Sequence, residues 1–397
     1  MAENRSRGIL NLPLELFLCI IHELYAPDVL SLGQTCNAIR SAVNERRVWE
    51  AALRDTCRLD QLFEPSYYPI EDLDILELQR AALEPWRRCA SFTPELPSDN
   101  PSGGEGSVAG GNMRLKEIKL EGDDHIHFND VCIVPGGRYV LGMNRRYICL
   151  WDIGQTGKGS WNSKPDTLSL SSIVRATPGA QIRDMSAPEA ATVASFRLAT
   201  MELNSYESFR VFEVGPLPDV FSIRGIASLQ GISPDLHLIG FWLQGDNLVC
   251  HYYEGVLVWD FVQSKYIAIP SCGKAAKITT NGNLIIAWEG PNIGVWTMPP
   301  LKPLETTSAE LRELFSDDLT DGIDFNTIRQ DDRSLWRNKT YLPCAWYSFP
   351  PDAVEHAVLR PGYDKKTIKV ERVLLDVSAG AGNYRRYSQT SFTMDTG

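Results

Sequence analysis

The sequence predicts a multidomain chain with an all-α N-terminal module, a helical extension and an all-β C-terminal domain, and three observations lead there. Apolar residues crowd positions 12–49 in three short groups separated by helix punctuation. A stretch rich in Pro, Gly and Ser at 94–112 sets that region apart. Beyond residue 113 the periodicity becomes strand-like, and three times a turn glycine precedes a tryptophan by fourteen residues.

The N-terminal module rests on apolar density. Residues 12–49 hold 21 apolar side chains in 38 positions. The first group opens at Pro13, whose fixed φ and missing N–H suit a first helical turn, with Glu15 where the helix dipole favours negative charge; it runs to about Leu24. The break at Ala26-Pro27-Asp28 stops the chain, and Asp28 is a candidate N-cap for a very short second helix through Leu30 and Leu32. A third helix is expected over Cys36 to Asn44, with Cys36, Ile39 and Val43 on one face. Nine of the thirteen residues from Leu12 to Leu24 are apolar, where an ordinary surface helix needs about three positions in seven. Some forty residues do not bury such a helix on all sides, so a partner with a groove for helices is expected to cover it. The alternative is packing against the chain's own C-terminal domain.

The extension and linker follow from composition. Residues 51–93 keep a helical pattern that ends near Arg88, with Trp49, Leu53 and Cys57 on one stripe, Leu73, Leu76, Leu83 and Trp86 on another, and Pro65 and Pro69 as interruptions. Residues 94–112 are nearly free of large apolar groups and read as a flexible linker, as do residues 1–8 at the N-terminus. Gly104 to Ala109 imitates a dinucleotide fingerprint, but no strand precedes it and no helical pattern follows.

The C-terminal domain, 113–397, rests on the repeat. Gly137 to Trp151-Asp152, Gly245 to Trp259-Asp260 and Gly282 to Trp296-Thr297 each read as turn, strand, tight turn, strand. Their strands are apolar at nearly every position, as inner strands of stacked sheets are. A fourth, degenerate unit has Phe212 in place of the tryptophan and lacks the glycine, and residues 301–340 read as an acidic insertion with a short helix near Ser308–Phe315. The tryptophans are read as packing residues that build a scaffold. Target contacts are expected on loops such as 154–166, 215–220 and 301–324, and no substrate-binding residue is identified.

Two resemblances sharpen this. Leu12-Pro13-Leu14-Glu15-Leu16, Ile20, Leu24, Asp28 to Leu32, Cys36, Arg40 and Trp49 resemble the F-box motif over residues 9–50, with Thr35 as a departure where Val is commoner. That resemblance implies an SCF-type substrate receptor. Its F-box docks a Skp-type adaptor on a cullin scaffold, with Leu12, Pro13, Glu15, Leu16, Ile20, Leu24, Leu30, Leu32, Cys36, Ile39, Val43 and Trp49 as adaptor-binding residues. The Trp-Asp hairpins, with His127 ahead of Trp151, resemble WD repeats and imply a β-propeller-like domain of six or seven blades, with an irregular or incomplete ring left open. Alternatives are an F-box scaffold outside ubiquitin transfer and an enzyme with a site in the propeller channel.

Composition excludes other classes. Apolar residues are 43% and charged residues 22% of 397, enough to bury a core, and the net charge of −11 opposes nucleic-acid phosphates. Nine cysteines without a CxxC pair read as free thiols in a reducing compartment. The opening residues show no signal core, and no run is long enough to span a bilayer, so the cytoplasm or nucleus is expected, without membrane attachment. His125 and His127 share a strand face but lack neighbours to complete a metal site, and no catalytic or nucleotide-binding motif is present, so no metal, cofactor or catalytic residue is expected.

Overall fold

The computed structural model describes residues 12–13, 16, 19–21, 23–92, 119–120, 128–158, 167–168 and 170–270, then the later strands given below with 298–304 and Phe315. The fingerprint-like glycines, the 94–112 segment, His125, His127, Gly282 and the expected helix near 308–314 lie outside the described residues. The chain divides into two compact units: residues 1–122 with 133–140 and 151–170, and residues 123–132 with 141–150 and 171–397.

In the first unit, Leu16 and 19–21 are helical, followed by α1 (Ala26–Gly33), α2 (Asn37–Val43), α3 (Arg46–Leu59) and α4 (Ile75–Phe92). Helix α1 starts two residues before the expected Asp28. Tyr25 is its N-cap and Pro27 sits in the first turn, where a missing N–H costs nothing, so the proline opens the helix instead of ending the one before. Cys36 is the extended N-cap of α2. Helix α4 runs to Phe92, past the expected end near Arg88. Its buried positions are Leu78, Ala81 and Ala82, whereas Leu76 and Trp86 are exposed. Of the expected stripe, Leu73 is buried in the core and Leu83 packs against it, whereas Leu76 and Trp86 point away, α4 meeting the core through Leu78, Ala81 and Ala82. Two 3-10 turns, Glu64–Tyr67 and Ile70–Asp72, carry the chain between α3 and α4.

The β-rich part holds, among the described residues, five sheets of four or five strands and one two-stranded pair. The first sheet orders β1 (Asp130–Ile133), β2 (Tyr139–Met143), β3 (Tyr147–Asp152) and β4 (Leu170–Arg175). The second runs β8 (Ile223–Ile232), β7 (Glu207–Val214), β6 (Phe196–Leu203), β5 (Gln181–Met185), with Glu189–Ala190 also on β6. The third is β9 (Leu238–Gln244), β10 (Asn247–Tyr252), β11 (Gly255–Asp260) and β12 (Lys265–Pro270), extended by Lys302–Pro303. The fourth contains β13 (Lys277–Asn281), β14 (Leu284–Glu289) and β15 (Asn292–Thr297) with Thr327–Ile328. The fifth adds β16 (Ala353–Pro361), β17 (Thr367–Asp376) and β18 (Arg385–Asp395) to Thr340–Tyr341.

The fourteen-residue spacing has a direct geometric meaning. In β10–β11 Leu248 faces Trp259, and in β14–β15 Ile285 faces Trp296, so both tryptophans oppose the residue three after the turn glycine. Gly137 and Gly245 have φ of +78° and +58°, which a side chain at those turns would strain. Trp151, Trp259 and Phe212 are buried. Asp152 and Asp260 cap the turns after their strands, Asp152 accepting the Gly154 N–H at 2.8 Å and Asp260 those of Val262 and Gln263 at 3.0 and 2.7 Å. Aspartate after tryptophan is thus a turn residue, the same local role in both repeats.

Neighbouring sheets two and three share one core of Phe209, Leu229, Phe241, Leu248, Leu257 and Trp259, and the Gly245 turn is gripped from sheet two. Glu189 accepts the Gly245 N–H at 2.9 Å, and Arg197 donates to Asp246 at 2.7 Å. Burial pushes the Glu189 carboxyl up to about 7, against the pull of the Gly245 N–H and Arg197. A carboxyl raised in the folded chain is released first by the unfolded chain, so it subtracts stability as pH climbs from about 4.5 to about 7. Glu189→Gln keeps an acceptor for Gly245 and removes that loss. It is expected to raise stability at pH 8 on the order of 1–3 kcal/mol, with little effect at pH 4, in urea unfolding. A variant equally stabilised at both pH values would contradict the assignment.

Cysteine burial yields a further expected result. Burial raises the thiol pKa of Cys57 and Cys250 well above the ordinary value and that of Cys149 to about 11, whereas Cys19 is exposed. In a native-state iodoacetamide time course read by mass spectrometry, Cys19 is modified at least about tenfold faster than these three. Comparable rates would count against the packing of both units.

Candidate functional site

The site is built on the first helices. Ile21, Ala26, Val29, Ile39, Val43, Val48, Trp49, Leu53 and Cys57 form one core with Tyr67, Ile70, Leu73 and Leu78, and Leu24, Leu32 and Cys36 pack on its margin. Polar groups fix the helix ends. Arg40 donates to the Gly33 carbonyl at 3.2 Å and Thr35 Oγ1 to Leu32 at 2.7 Å, supplying the C-terminal carbonyls of α1 with partners. Arg46 donates to Leu73 and Ile70 at 2.6 and 2.8 Å and to Glu50 at 2.5 Å, tying α3 to the 3-10 segment. A Cβ at Gly33 would come within 3.3 Å of Val43, so a small residue lets α1 and α2 approach.

What this packing leaves outside is apolar. Leu16 is 53% exposed, and Leu12, Ile20 and Leu30 are 37–38% exposed, with Tyr25 at 62%. Leu16 and Ile20 lie one turn apart and so project from one side, while Ile21, next in sequence, is 3% exposed and enters the core. The segment therefore has two apolar sides, one internal and one facing solvent, and the solvent side ends at the exposed carboxylate of Glu23.

Eleven of the twelve residues singled out in the sequence fall into three groups. Leu12, Pro13, Leu16, Ile20 and Leu30 are exposed; Leu24, Leu32 and Cys36 are half-buried; Ile39, Val43 and Trp49 are core residues at 6%, 3% and 0% exposure. Glu15 lies outside the described residues. Tyr25 was not singled out; its apolar ring beside Pro27 in an already greasy stretch was the signal.

The same unit contains a second feature invisible to local patterns. The segments 133–140 and 151–158 pack on residues 63–81. The Phe63 N–H donates to the Pro135 carbonyl at 2.9 Å, Thr156 N–H to Ser66 at 2.9 Å, and Gln155 to the carbonyls of Tyr67 and Pro69 at 2.8 and 2.7 Å. Arg138 holds Asp152 through two bonds of 2.9 and 2.8 Å and donates to the carbonyls of Tyr68 at 2.5 Å and Pro65 at 3.4 Å. Tyr139 adds an edge contact with Phe63, ring centroids 5.9 Å apart, and Lys158 pairs with Asp72 at 3.3 Å. Asp246 and Asn283 stand where Arg138 does in the other two repeats, so this arginine is particular to the first.

Among the described residues no group of His, Cys, Asp and Glu is placed to hold a metal ion, and no helix is long and apolar enough to cross a membrane.

No curated protein matches the chain. Among solved structures it is similar to the N-terminal domain of Nup159 (5% identity, TM-score 0.33, covering 69% of this chain and 63% of that one). It is also similar to Hsv2 of Kluyveromyces lactis (11%, 0.29, 63% and 59%) and to the WD40 domain of SCAP from fission yeast (9%, 0.27, 68% and 74%). The chain spans less than two thirds of the length of the first two. The family comparison falls on the helices described above: residues 9–51 match the F-box domain, and the chain carries an F-box domain at its N-terminus, followed by antiparallel β-sheets.

Proposed function

We propose that this chain is a non-catalytic substrate receptor of an SCF-type cullin-RING ubiquitin ligase. Its F-box docks a Skp-type adaptor, and its β-rich part holds a target protein. The observation that carries the reading is the solvent-facing apolar side of Leu12, Leu16, Ile20 and Leu30, on a domain whose general role is adaptor docking. These four, with Pro13 and Tyr25, form the contact. Leu24, Leu32 and Cys36 flank it, and Ile39, Val43 and Trp49 act from the core by setting the helix angles. The receptor works in the cytoplasm or nucleus, where the adaptor and cullin are found, and needs no cofactor, membrane or nucleic acid.

Co-expression of the tagged full chain with a Skp-type adaptor and a cullin tests this. The expected result is a ternary complex in stoichiometric yield by gel filtration. Recovery of the adaptor without the cullin would replace the receptor reading with a scaffold outside ubiquitin transfer, and recovery of neither would end both.

A further inference from the structure

Among the described residues, the joint between the second and third sheets brings three carboxylates to two guanidinium groups. Glu189 and Arg197 are cross-strand partners, yet the Arg197 guanidinium reaches Asp246 at 2.7 Å and Glu213 at 3.7 Å. It also lies 5.3 Å from the centroid of the Phe261 ring. Glu213 is met a second time, by Arg224 at 3.4 Å. The charges thus come from every element packed here: Glu189 from the 189–190 strand, Arg197 from β6, Glu213 from β7, Arg224 from β8 and Asp246 from the β9–β10 turn. Glu189 has no ion pair among the described residues, and its Oε1 accepts only the Gly245 N–H, at 2.9 Å. Burial pushes its carboxyl up to about 7, with the Gly245 N–H and Arg197 opposing the rise and Asp246 adding to it.

Two further contacts give this carboxyl reach. The Gly245 turn belongs to the third sheet, where the Asp246 carbonyl accepts the Phe261 N–H at 3.1 Å, and Glu189 with Arg197 binds that turn to the second. The stretch 189–197 folds back on itself, Glu189 opposite Arg197 and Ala190 opposite Phe196, with the Ala191 N–H on the Ser195 carbonyl at 3.0 Å. The Ala194 carbonyl in this bend accepts the Leu217 N–H at 2.7 Å, and a Cβ on Gly215 would come within 2.8 Å of the same carbonyl. The loop 215–220, one of those expected to meet a target, therefore rests on the hairpin that carries Glu189.

We propose that Glu189 is a proton-operated latch between the second and third sheets, and that it sets the support of the 215–220 loop. With its proton on, the neutral carboxyl accepts the Gly245 N–H through its carbonyl oxygen and stays in the joint. With the proton lost, the unpaired charge is better solvated outside, and the 189–197 hairpin parts from the Gly245 turn. The closed joint binds the proton more tightly than the open one, so raising the pH from about 4.5 to about 7 favours opening, and the effect levels off above about 7. The opening is local: the hairpin, the Gly245 turn and the 215–220 loop respond, and β7 does not. Only the link from this loop to a target rests on the receptor reading. A target held there is bound more weakly at pH 8 than at pH 5.5.

Hydrogen exchange of the free full chain tests the latch, read by mass spectrometry and corrected for the intrinsic pH dependence of amide exchange. Protection of peptides covering 243–248 and 214–221 is expected to fall at least about tenfold from pH 5.5 to pH 8, and that of residues 207–213 to change less than about twofold. Glu189→Gln keeps an acceptor and does not ionise, so its protection at 243–248 is expected to stay within about threefold between the two pH values. Glu189→Ala removes the acceptor and is expected to leave 243–248 weakly protected at both. No fall in the wild type, a tenfold fall retained in Glu189→Gln, an equal fall at 207–213, or full protection in Glu189→Ala would each overturn the latch. Adaptor and target are absent from this measurement, so its failure is separate from failure of the receptor reading, and Leu16→Asp is expected to leave exchange at 243–248 unchanged.

Discussion

Leu16→Asp and Ile20→Asp are each expected to abolish the proposed binding of a Skp-type adaptor and to leave the chain folded. Both side chains lie largely outside the core of their own unit, at 53% and 38% exposure, so a carboxylate at either position is solvated in the free protein. In the proposed complex the same carboxylate is enclosed by apolar groups without a partner. That costs about 3–5 kcal/mol, or about two to four orders of magnitude in affinity. Leu16→Ala removes only apolar area and is expected to cost about 1–2 kcal/mol. The contrast with Ile21→Asp isolates the mechanism: Ile21 is buried in the unit's own core, and its substitution unfolds the helices instead of sparing them. Calorimetric titration of the adaptor, with circular dichroism on each variant, reads both effects. Adaptor affinity within threefold of wild type for Leu16→Asp would defeat the docking surface.

Arg138→Ala is expected to destabilise the first unit by roughly 3 kcal/mol. Arg138 is 9% exposed and its guanidinium serves Asp152 and two backbone carbonyls, so truncation removes the two bonds to the Asp152 carboxylate and those to the carbonyls of Pro65 and Tyr68. Asp152→Asn keeps an acceptor for Gly154 and one bond to Arg138, and is expected to cost about 1–2 kcal/mol. The double variant falls well short of the sum, since both single changes break the same pair. Gly136→Ala is a backbone counterpart. At φ of +104° its new methyl would overlap the Ser66 hydroxyl and come within 3.0 Å of the Phe63 carbonyl. Urea unfolding, with hydrogen exchange at residues 63–73 as the local readout, measures all of these. Full protection of that segment in Arg138→Ala would show that the pair holds nothing.

A consequence for dissection follows. A fragment ending at residue 112 keeps every F-box residue but lacks Pro135, Arg138, Gln155 and Thr156, the partners of backbone groups between Phe63 and Pro69. Those groups would face water or go unpaired, so the fragment is expected to be less stable than the same residues in the full chain.

The helices were legible because their signals are local. Pro27, the spacing of Cys36, Ile39 and Val43, and the run of apolar residues through Leu16 and Ile20 act within a few turns of chain. The hairpins were legible for the same reason: a glycine able to take positive φ, branched residues on both sides and a tryptophan at fixed distance set a register that recurs in β10–β11 and β14–β15. Less legible was the side each apolar residue takes. Leu30 and Leu32 look alike in sequence, yet Leu30 is exposed and Leu32 packs on the core margin; of the stripe Leu73, Leu76, Leu83 and Trp86, Leu73 and Leu83 meet the core while Leu76 and Trp86 stay outside.

Sequence alone thus determined that this protein has a helical N-terminal module unusually rich in apolar residues, followed by repeated β-hairpins. Only the tertiary structure decided that Ile39, Val43 and Trp49 turn inward while Leu16, Ile20 and Leu30 turn outward, and that Arg138 and Asp152 close upon residues 65–68. The periodicity of a segment follows from the geometry of its own backbone. Which of its faces is covered depends on chain seventy residues away, and nothing within one segment encodes that distance.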